Sequence, residues 1–194
     1  GANFGKDRDM QDKADPYSEL YTQAVRLFKN KKPVIAAVQG GAIGGGLGLS
    51  LVADFRIGCP ESRFSANFSR LGFHQGFGTT VTLPRVIGPQ NAAMMMLTGR
   101  RLKGQEAFDI GLIDYLVPLK EVRSKAIELA EEISEAGPLA VQSIRATIRA
   151  GLAEQVEEIV SWELSEQVRL QSTKDFKEGI KASLERRKPK FEGS

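Results

Sequence analysis

The stretch of this sequence whose residue types could do chemistry most directly is rich in glycine. Residues 33–51 read PVIAAVQGGAIGGGLGLSL, where one apolar run enters a cluster of glycines and a second apolar run leaves it. The glycines of the cluster are Gly40, Gly41, Gly44, Gly45, Gly46 and Gly48. Glycine inside a helix or strand costs about 0.5–1 kcal/mol relative to alanine. The cluster therefore indicates backbone that must stay free of side chains.

Three kinds of site use glycine where a strand passes into a helix. A dinucleotide fingerprint needs glycines at i, i+2 and i+5, but from Gly44 and from Gly46 the third position is a leucine. A P-loop ends in Gly-Lys-Ser/Thr, and this segment has no lysine. An oxyanion site remains, because a helix N-terminus offers free backbone N–H groups and the positive end of its dipole. The structural alternative is that the glycines only let a helix pack closely on a sheet.

A second glycine-containing loop, LGFHQGFG at residues 71–78, carries His74, the only histidine of the chain. Histidine is the commonest acid–base side chain near neutral pH, so His74 is the candidate for proton transfer. The alternative is a histidine that only forms a hydrogen bond within the turn. Asn67, Arg70 and Gln75 are polar neighbours that could orient water or substrate. With one histidine and one cysteine, we predict no metal site.

Composition narrows the class of protein. The 194 residues suit one globular domain, and 41% hydrophobic content allows a real core. The formal net charge is only +3, without a dense basic stripe, so we expect no nucleic-acid partner. No apolar run approaches the roughly 20 residues that span a bilayer, so we expect no membrane partner. The single cysteine, Cys59, excludes an intramolecular disulfide, which fits a cytoplasmic protein.

Periodicity places these features on a mixed α/β chain. It predicts an amphipathic helix over residues 16–30, a strand over 33–38 and a helix over 44–52. In chain order, the patterns also predict strands at 55–58 and 64–68, a helix through 92–97, a short helix at 104–109 and a strand at 112–117. From Glu121 onward the patterns are nearly all helical. The fold class is therefore α/β with a helical C-terminal part.

Five ordered motifs resemble the crotonase superfamily, the enoyl-CoA hydratase/isomerase family. KKPVIAAVQGGAIGGGLGLSLVADFRIG is similar to its central segment, and LGFHQGFGTTVTLPRVIG to its second glycine loop. The start, Gly1-Ala2-Asn3-Phe4, looks like its Ala-Gly-Ala-Asp turn. MLTGRRLKGQEAFDIGLIDYLVP and EGIKASLERRKPKF resemble later family segments. The family's N-terminal β-rich segment is not in these residues, so we expect the sequence to be incomplete.

The resemblance implies a fold and a substrate. The fold is a crotonase-like ββα spiral over residues 1–120, followed by a helical region over 121–194 that builds a homotrimer or a dimer of trimers. The substrate is an acyl-CoA thioester, and no cofactor is implied beyond the coenzyme A of that substrate. Backbone N–H groups of Ala2 and Gly45 would hold the thioester carbonyl. The implied substrate contacts are Asn3, Phe4, Gly44, Phe68, Gln75, Arg186 and Lys188.

The sequence departs from the family at its acid–base residues. Hydratases of this family use two glutamates, and the matching positions here are Gly48 and Phe68. Relatives with an acid in the second loop would have it near Gln75 or Gly76, which is also missing. Each positioned acid–base group typically contributes about 10²–10⁴-fold in rate, so ordinary hydration is disfavoured.

Three functions stay open on this evidence. The first is a hydratase/isomerase-like enzyme, a lyase or isomerase of fatty acid metabolism that uses His74 in place of the glutamates. The second is a hydrolase of the same fold that cleaves a thioester or a carbon–carbon bond. The third is a relative that binds coenzyme A without catalysis.

Overall fold

The computed structural model describes residues 16–194. These residues form two three-stranded sheets and the helices that follow their strands. The strands are β1 (Ile35–Val38), β2 (Gly41–Ile43), β3 (Phe55–Gly58), β4 (Arg63–Ser65), β5 (Arg101–Lys103) and β6 (Tyr115–Leu116). The helices are α1 (Pro16–Phe28), α2 (Gly45–Val52), α3 (Thr79–Thr98), α4 (Gly104–Asp109), α5 (Val122–Ser134), α6 (Pro138–Ile148), α7 (Leu152–Gln171) and α8 (Lys174–Leu184). Two short 3₁₀ helices cover Asn67–Leu71 and Leu119–Glu121.

The order of the strands repeats from one turn of the chain to the next. One sheet has the order β1-β3-β6, with parallel pairs, and the other has the order β2-β4-β5. The β2–β4 pair is parallel and the β4–β5 pair is antiparallel. Each of the two complete turns thus places one strand in each sheet before its helix, α2 or α3. This is the ββα spiral that the resemblance implies.

Several elements differ from the sequence predictions. The strand predicted to reach Phe68 ends at Ser65, because a 3₁₀ helix begins at Asn67. The strand predicted over 112–117 is reduced to Tyr115–Leu116. Strands β2 and β5 were not predicted, and α3 begins at Thr79 rather than near Ala92. A kink at Gly88, with φ 75° and ψ 160°, divides α3 where Pro89 follows.

Four apolar clusters hold these elements together. The largest lies between the second sheet, α2 and α3, and includes Leu47, Phe64, Leu83 and Met95. A second cluster joins α1 to α7. It includes Phe77 of the second glycine loop and Val52 at the end of α2. The helical C-terminal part therefore packs on the elements that carry the candidate site. The division into regions 1–120 and 121–194 stays a prediction.

Candidate active site

The turn between β2 and α2 presents the backbone that the glycine cluster predicts. Gly44 caps α2 with φ 56° and ψ −119°, a conformation that a β-carbon would strain. Its N–H donates to Ser65 O at 2.9 Å on the neighbouring strand, which fixes the direction of the turn. A β-carbon added at Gly45 or Gly46 would meet no atom within 4 Å.

Gly45 is the first residue of helix α2, so its N–H is the first backbone donor of that helix. The hydrogen bond from Gly48 N–H to Gly44 O, across the first turn of the helix, measures 3.1 Å. Among residues 16–194, the Gly45 N–H donates no hydrogen bond. This N–H therefore sits at an open helix N-terminus, where backbone donors and the helix dipole favour negative charge.

Phe68 and Asn67 border this turn. A β-carbon on Gly44 would lie 3.2 Å from Asn67 Oδ1 and 3.4 Å from Phe68 Cζ. The buried ring of Phe68 also packs edge-on against Phe73, with centroids 5.1 Å apart, and Phe73 packs on Phe176 at 5.2 Å. The structure thus brings together Gly44, Gly45 and Phe68. The ring tip of Phe68 therefore borders the turn at a position that the resemblance matches to a glutamate of hydratases.

Phe77 fills the space beside Gly48, the other position that the resemblance matches to a glutamate. A β-carbon on Gly48 would lie 2.6 Å from Phe77 Cβ and 2.7 Å from Phe77 Cγ. Phe77 has φ 65°, which is unusual for a residue with a side chain. Its ring also packs edge-on against Tyr21, with centroids 6.0 Å apart. The space above Gly48 is therefore occupied by an aromatic side chain.

Two buried residues of α7 hold the second glycine loop from opposite ends. Glu163 accepts hydrogen bonds from Gly78 N–H at 2.7 Å, from Thr80 N–H at 3.2 Å and from Thr80 Oγ1 at 2.6 Å. One turn later, Gln167 Nε2 donates to His74 O at 2.9 Å and to Gln75 O at 3.2 Å. Both side chains are fully buried.

Burial raises the pKa of Glu163, because a charged carboxylate loses its hydration there. The hydrogen bonds from Thr80 and Gly78 and the nearby His74 act in the opposite direction and favour the charged form. The carboxylate lies at the N-terminus of α3, which begins at Thr79. It therefore serves as a cap for that helix, supplied from a distant part of the chain.

His74 and Gln75 make their contacts away from the Gly44–Gly45 turn. His74 Nδ1 lies 3.0 Å from Gln75 O, and the imidazole is half-buried. Gln75 Nε2 donates to Ala66 O at 3.3 Å and to Met96 O at 3.4 Å. Within the described residues, no hydrogen bond joins His74 to the turn at α2. Its role in proton transfer stays a prediction.

The remaining predicted residues lie at the two ends of the chain. Ala2, Asn3 and Phe4 fall outside the described residues. Arg186 and Lys188 follow α8 and are exposed. Arg187 between them is paired, with 2.8 Å from its Nη2 to Glu178 Oε2 and 2.6 Å from its Nε to Glu185 Oε2.

Sequence reasoning missed Glu163, Gln167 and Phe77. A signal for the first two exists on α7, where Val156 and Val160 mark the buried face. Glu163 and Gln167 continue that face at helical spacing, so two long polar side chains interrupt an apolar stripe. Buried polar groups of this kind need partners, and the second glycine loop supplies them. No local pattern indicates the left-handed conformation of Phe77.

Comparison with solved structures defines the fold. The structure superposes on the crystal structure of an enoyl-CoA hydratase/isomerase from Pseudoalteromonas atlantica T6c with a TM-score of 0.82 and 26% sequence identity. The match covers 94% of this chain and 73% of that chain. The crotonase fold implied by the sequence is thus confirmed.

Sequence comparison defines the family. The family model described as enoyl-CoA hydratase/isomerase matches residues 2–194. A crotonyl-CoA hydratase of Syntrophomonas wolfei is 37% identical over 179 residues, which are 92% of this chain and 69% of that protein. A putative enoyl-CoA hydratase/isomerase of Bacillus subtilis is 36% identical over 176 residues, 91% of this chain and 68% of that protein. The chain belongs to the enoyl-CoA hydratase/isomerase family.

Among the described residues, no helix has both the length and the apolar character needed to cross a membrane. Within the same residues, no three His, Cys, Asp or Glu side chains gather in a way that could hold a metal ion.

Proposed function

We propose that this protein processes acyl-CoA thioesters and stabilises the thioester enolate with the backbone N–H of Gly45. The observation that carries the proposal is the open N–H at the start of α2, with no side chain over it. Family membership supplies the substrate class, since the relatives carry names such as crotonyl-CoA hydratase. Ala2, by the resemblance, would supply the second N–H.

A backbone N–H that binds the thioester carbonyl suits proton transfer at the carbon next to the thioester. When that carbon loses or gains a proton, negative charge builds on the carbonyl oxygen. A pre-oriented donor aimed at this oxygen typically contributes about 10²–10³-fold in rate. His74 is the proposed proton carrier, and Gly44 and Phe68 line the turn beside the reacting group. The proposed reaction class is that of an isomerase or lyase, without the two-glutamate activation of water.

Two aromatic residues support the exclusion of water addition. Phe77 fills the space above Gly48, and buried Phe68 stands where the resemblance places the second glutamate. Neither ring can accept a proton or hold a water for attack. Hydration by the family's usual route therefore lacks both of its acid–base groups.

A second candidate function is coenzyme A binding without turnover. The observation that favours it is the direction of the contacts of His74, which run to its own loop and to α7 rather than to the turn at Gly45. In that case the oxyanion turn would bind a thioester that nothing protonates or deprotonates.

We also propose that the protein self-associates as a homotrimer or a dimer of trimers. Support comes from large apolar side chains that are exposed on the helical region. Leu139 is 81% exposed, Ile148 68%, and Ile144 and Trp162 62% each. These side chains lie on α6 and α7, and burying them against another copy would recover apolar surface.

The test is a panel of enoyl-, dienoyl- and β-oxoacyl-CoA esters, with products identified by mass spectrometry. The proposal predicts rearranged esters of unchanged mass, or exchange of deuterium into the acyl chain from heavy water. A gain of one water with coenzyme A retained would contradict the exclusion of hydration. Free acid or a shortened acyl chain would move the assignment to a hydrolase. Binding of every ester with no change would favour the second candidate.

A further inference from the structure

The side chain of Gln167 joins α7 to the residues on both sides of the His74–Gln75 peptide bond. Its Nε2 lies 2.9 Å from His74 O and 3.2 Å from Gln75 O. Both partners are carbonyl oxygens, which only accept hydrogen bonds, so the amide nitrogen must face them. The side chain is fully buried, and its position on a helix fixes it further. Gln167 therefore holds two carbonyl groups of the second glycine loop in place.

One of these carbonyls also lies against a ring nitrogen of His74. Gln75 O lies 3.0 Å from His74 Nδ1. A carbonyl cannot donate, so this contact is a hydrogen bond only when Nδ1 bears the proton. In the neutral imidazole the other nitrogen, Nε2, then has the free lone pair.

The surroundings of the imidazole on α7 are acidic. The charge of the imidazole acts on two carboxyl groups there, since His74 favours the charged forms of Glu163 and Glu166. Glu166 is also hydrogen-bonded to Arg169, with 2.7 Å from Arg169 Nη2 to Glu166 Oε2. Glu163 fixes the far end of the loop at Gly78. Glu163 and Gln167, which lie one helical turn apart on α7, thus hold the two ends of the loop.

We propose that Gln167 is a positioning residue that holds His74 in its Nδ1–H tautomer through Gln75 O, leaving Nε2 as the atom that takes or gives a proton. The use of Nε2 in a reaction rests on the proposed function. The tautomer itself does not, because it can be measured in the protein without substrate.

The first measurement is a long-range ¹H–¹⁵N correlation spectrum of ¹⁵N-labelled protein, recorded where the imidazole is neutral. The resonances of His74 are identified by their loss in His74→Gln. We expect the pattern of a single tautomer with hydrogen on Nδ1. A spectrum showing hydrogen on Nε2, or an equal mixture, would overturn the proposal, and this result needs no variant of Gln167.

The second measurement compares Gln167→Met with a matched control. Methionine has a similar length but no donor, and Gln155→Met makes the same change at an exposed position of the same helix. We expect Gln167→Met to lose the single-tautomer pattern while its backbone spectrum stays folded, and Gln155→Met to keep the pattern. If Gln167→Met does not fold, Gln167→Leu takes its place, since leucine also has no donor. A folded variant with an unchanged tautomer would overturn the role of Gln167.

The third measurement uses whichever acyl-CoA ester the panel shows to react. We expect Gln167→Met to lower kcat by about 10–100-fold, within the range that a positioned acid–base group contributes, and to leave KM within about threefold. An unchanged kcat would overturn the positioning role. Failure of every ester to react would count against the proposed function, while the wild-type tautomer would still decide the assignment of Nδ1.

Discussion

Phe77 packs directly against the α-carbon of Gly48. A β-carbon at Gly48 would lie within 2.8 Å of three atoms of Phe77, including its Cβ and Cγ. These atoms lie near the backbone and cannot swing away like the end of a long side chain. Position 48 is therefore closed to any residue larger than glycine as long as Phe77 keeps its place. The glycine at position 48 and the aromatic ring of Phe77 thus belong to one packing arrangement.

This contact predicts that position 48 does not accept a glutamate without a loss of stability. We expect Gly48→Glu to lower the free energy of unfolding by about 2 kcal/mol or more, since overpacking a core typically costs ~1–3 kcal/mol and a carboxylate would be buried as well. Urea unfolding measures the loss. Gly46→Glu, two residues earlier in open space at the start of the same helix, is the matched control and should change stability by less than about 0.5 kcal/mol.

A double-mutant cycle tests whether Phe77 causes the stability loss expected for Gly48→Glu. Phe77→Gly removes the ring and suits the positive φ of that position. We expect Gly48→Glu to cost less in the Phe77→Gly background, with a coupling free energy of about 1–2 kcal/mol. Additive losses would show that the crowding at Gly48 has another origin.

The buried carboxylate of Glu163 predicts a pH dependence of stability. Because burial raises the pKa of Glu163 above its ordinary value of 4.5, the folded state binds this proton more tightly than the unfolded state does. Its contribution to stability is then fully present below pH 4.5 and is lost as the pH rises through the pKa of the folded state. Glu163→Gln removes this titration.

The measurement is urea unfolding of wild type and Glu163→Gln from about pH 4 upward, so that it begins below the ordinary pKa of 4.5 and continues above it. The wild-type free energy of unfolding minus that of the variant should fall with rising pH and then level off. Glu158→Gln, on an exposed position of α7, should give a flat difference. A difference for Glu163→Gln that rises with pH would mean that its hydrogen bonds outweigh its burial.

Substitutions of the exposed residues after α8 should distinguish residues that bind the substrate from residues that stabilise the fold. We expect Arg186→Ala and Lys188→Ala to raise KM for acyl-CoA esters several-fold, because each removes a positive charge available to the phosphates of coenzyme A. The midpoint of urea unfolding should not change. Arg187→Ala should lower that midpoint instead, since Arg187 ties the tail to Glu178 and Glu185.

The pairing of Arg187 also lowers the pKa of Glu178 to about 2 through its hydrogen bonds. If Arg187→Ala raised KM as strongly as Arg186→Ala while stability stayed unchanged, the prediction that these residues affect binding and stability separately would be wrong. Repeating the KM measurements in added salt distinguishes a charge effect, which salt weakens, from a change of shape.

Much of the spiral could be predicted from local patterns. Strands β1 and β3 and helices α1, α2 and α4 lie where periodicity and glycine placed them. Strands β2 and β5 have only three residues each, too few to show an alternation. The first half of α3 contains Pro84, which argues against a helix when only the sequence is known. Length and proline thus explain these misses.

The candidate site likewise has a part that local sequence predicts and a part that depends on contacts between distant residues. The Gly44–Gly45 turn depends on residues next to each other in sequence, and its glycines indicated it. The hydrogen bonds of Glu163 and Gln167 to the second loop span more than 80 residues of sequence. No local sequence pattern indicates which loop a buried glutamate will contact. The contact between Phe77 and Gly48 depends likewise on how α2 packs against that loop.

The measurement that tests the account most directly is turnover of an acyl-CoA ester by Gly45→Pro. Proline removes the N–H of Gly45 and is well tolerated at the first position of a helix, so the fold should persist. Gly45→Ala keeps the N–H and places its methyl group in open space, which makes it the matched control. We predict a fall in kcat of about 10²–10³-fold for Gly45→Pro and a change of less than about tenfold for Gly45→Ala. A folded Gly45→Pro protein that turns over as fast as Gly45→Ala would contradict the role of Gly45 as the oxyanion donor.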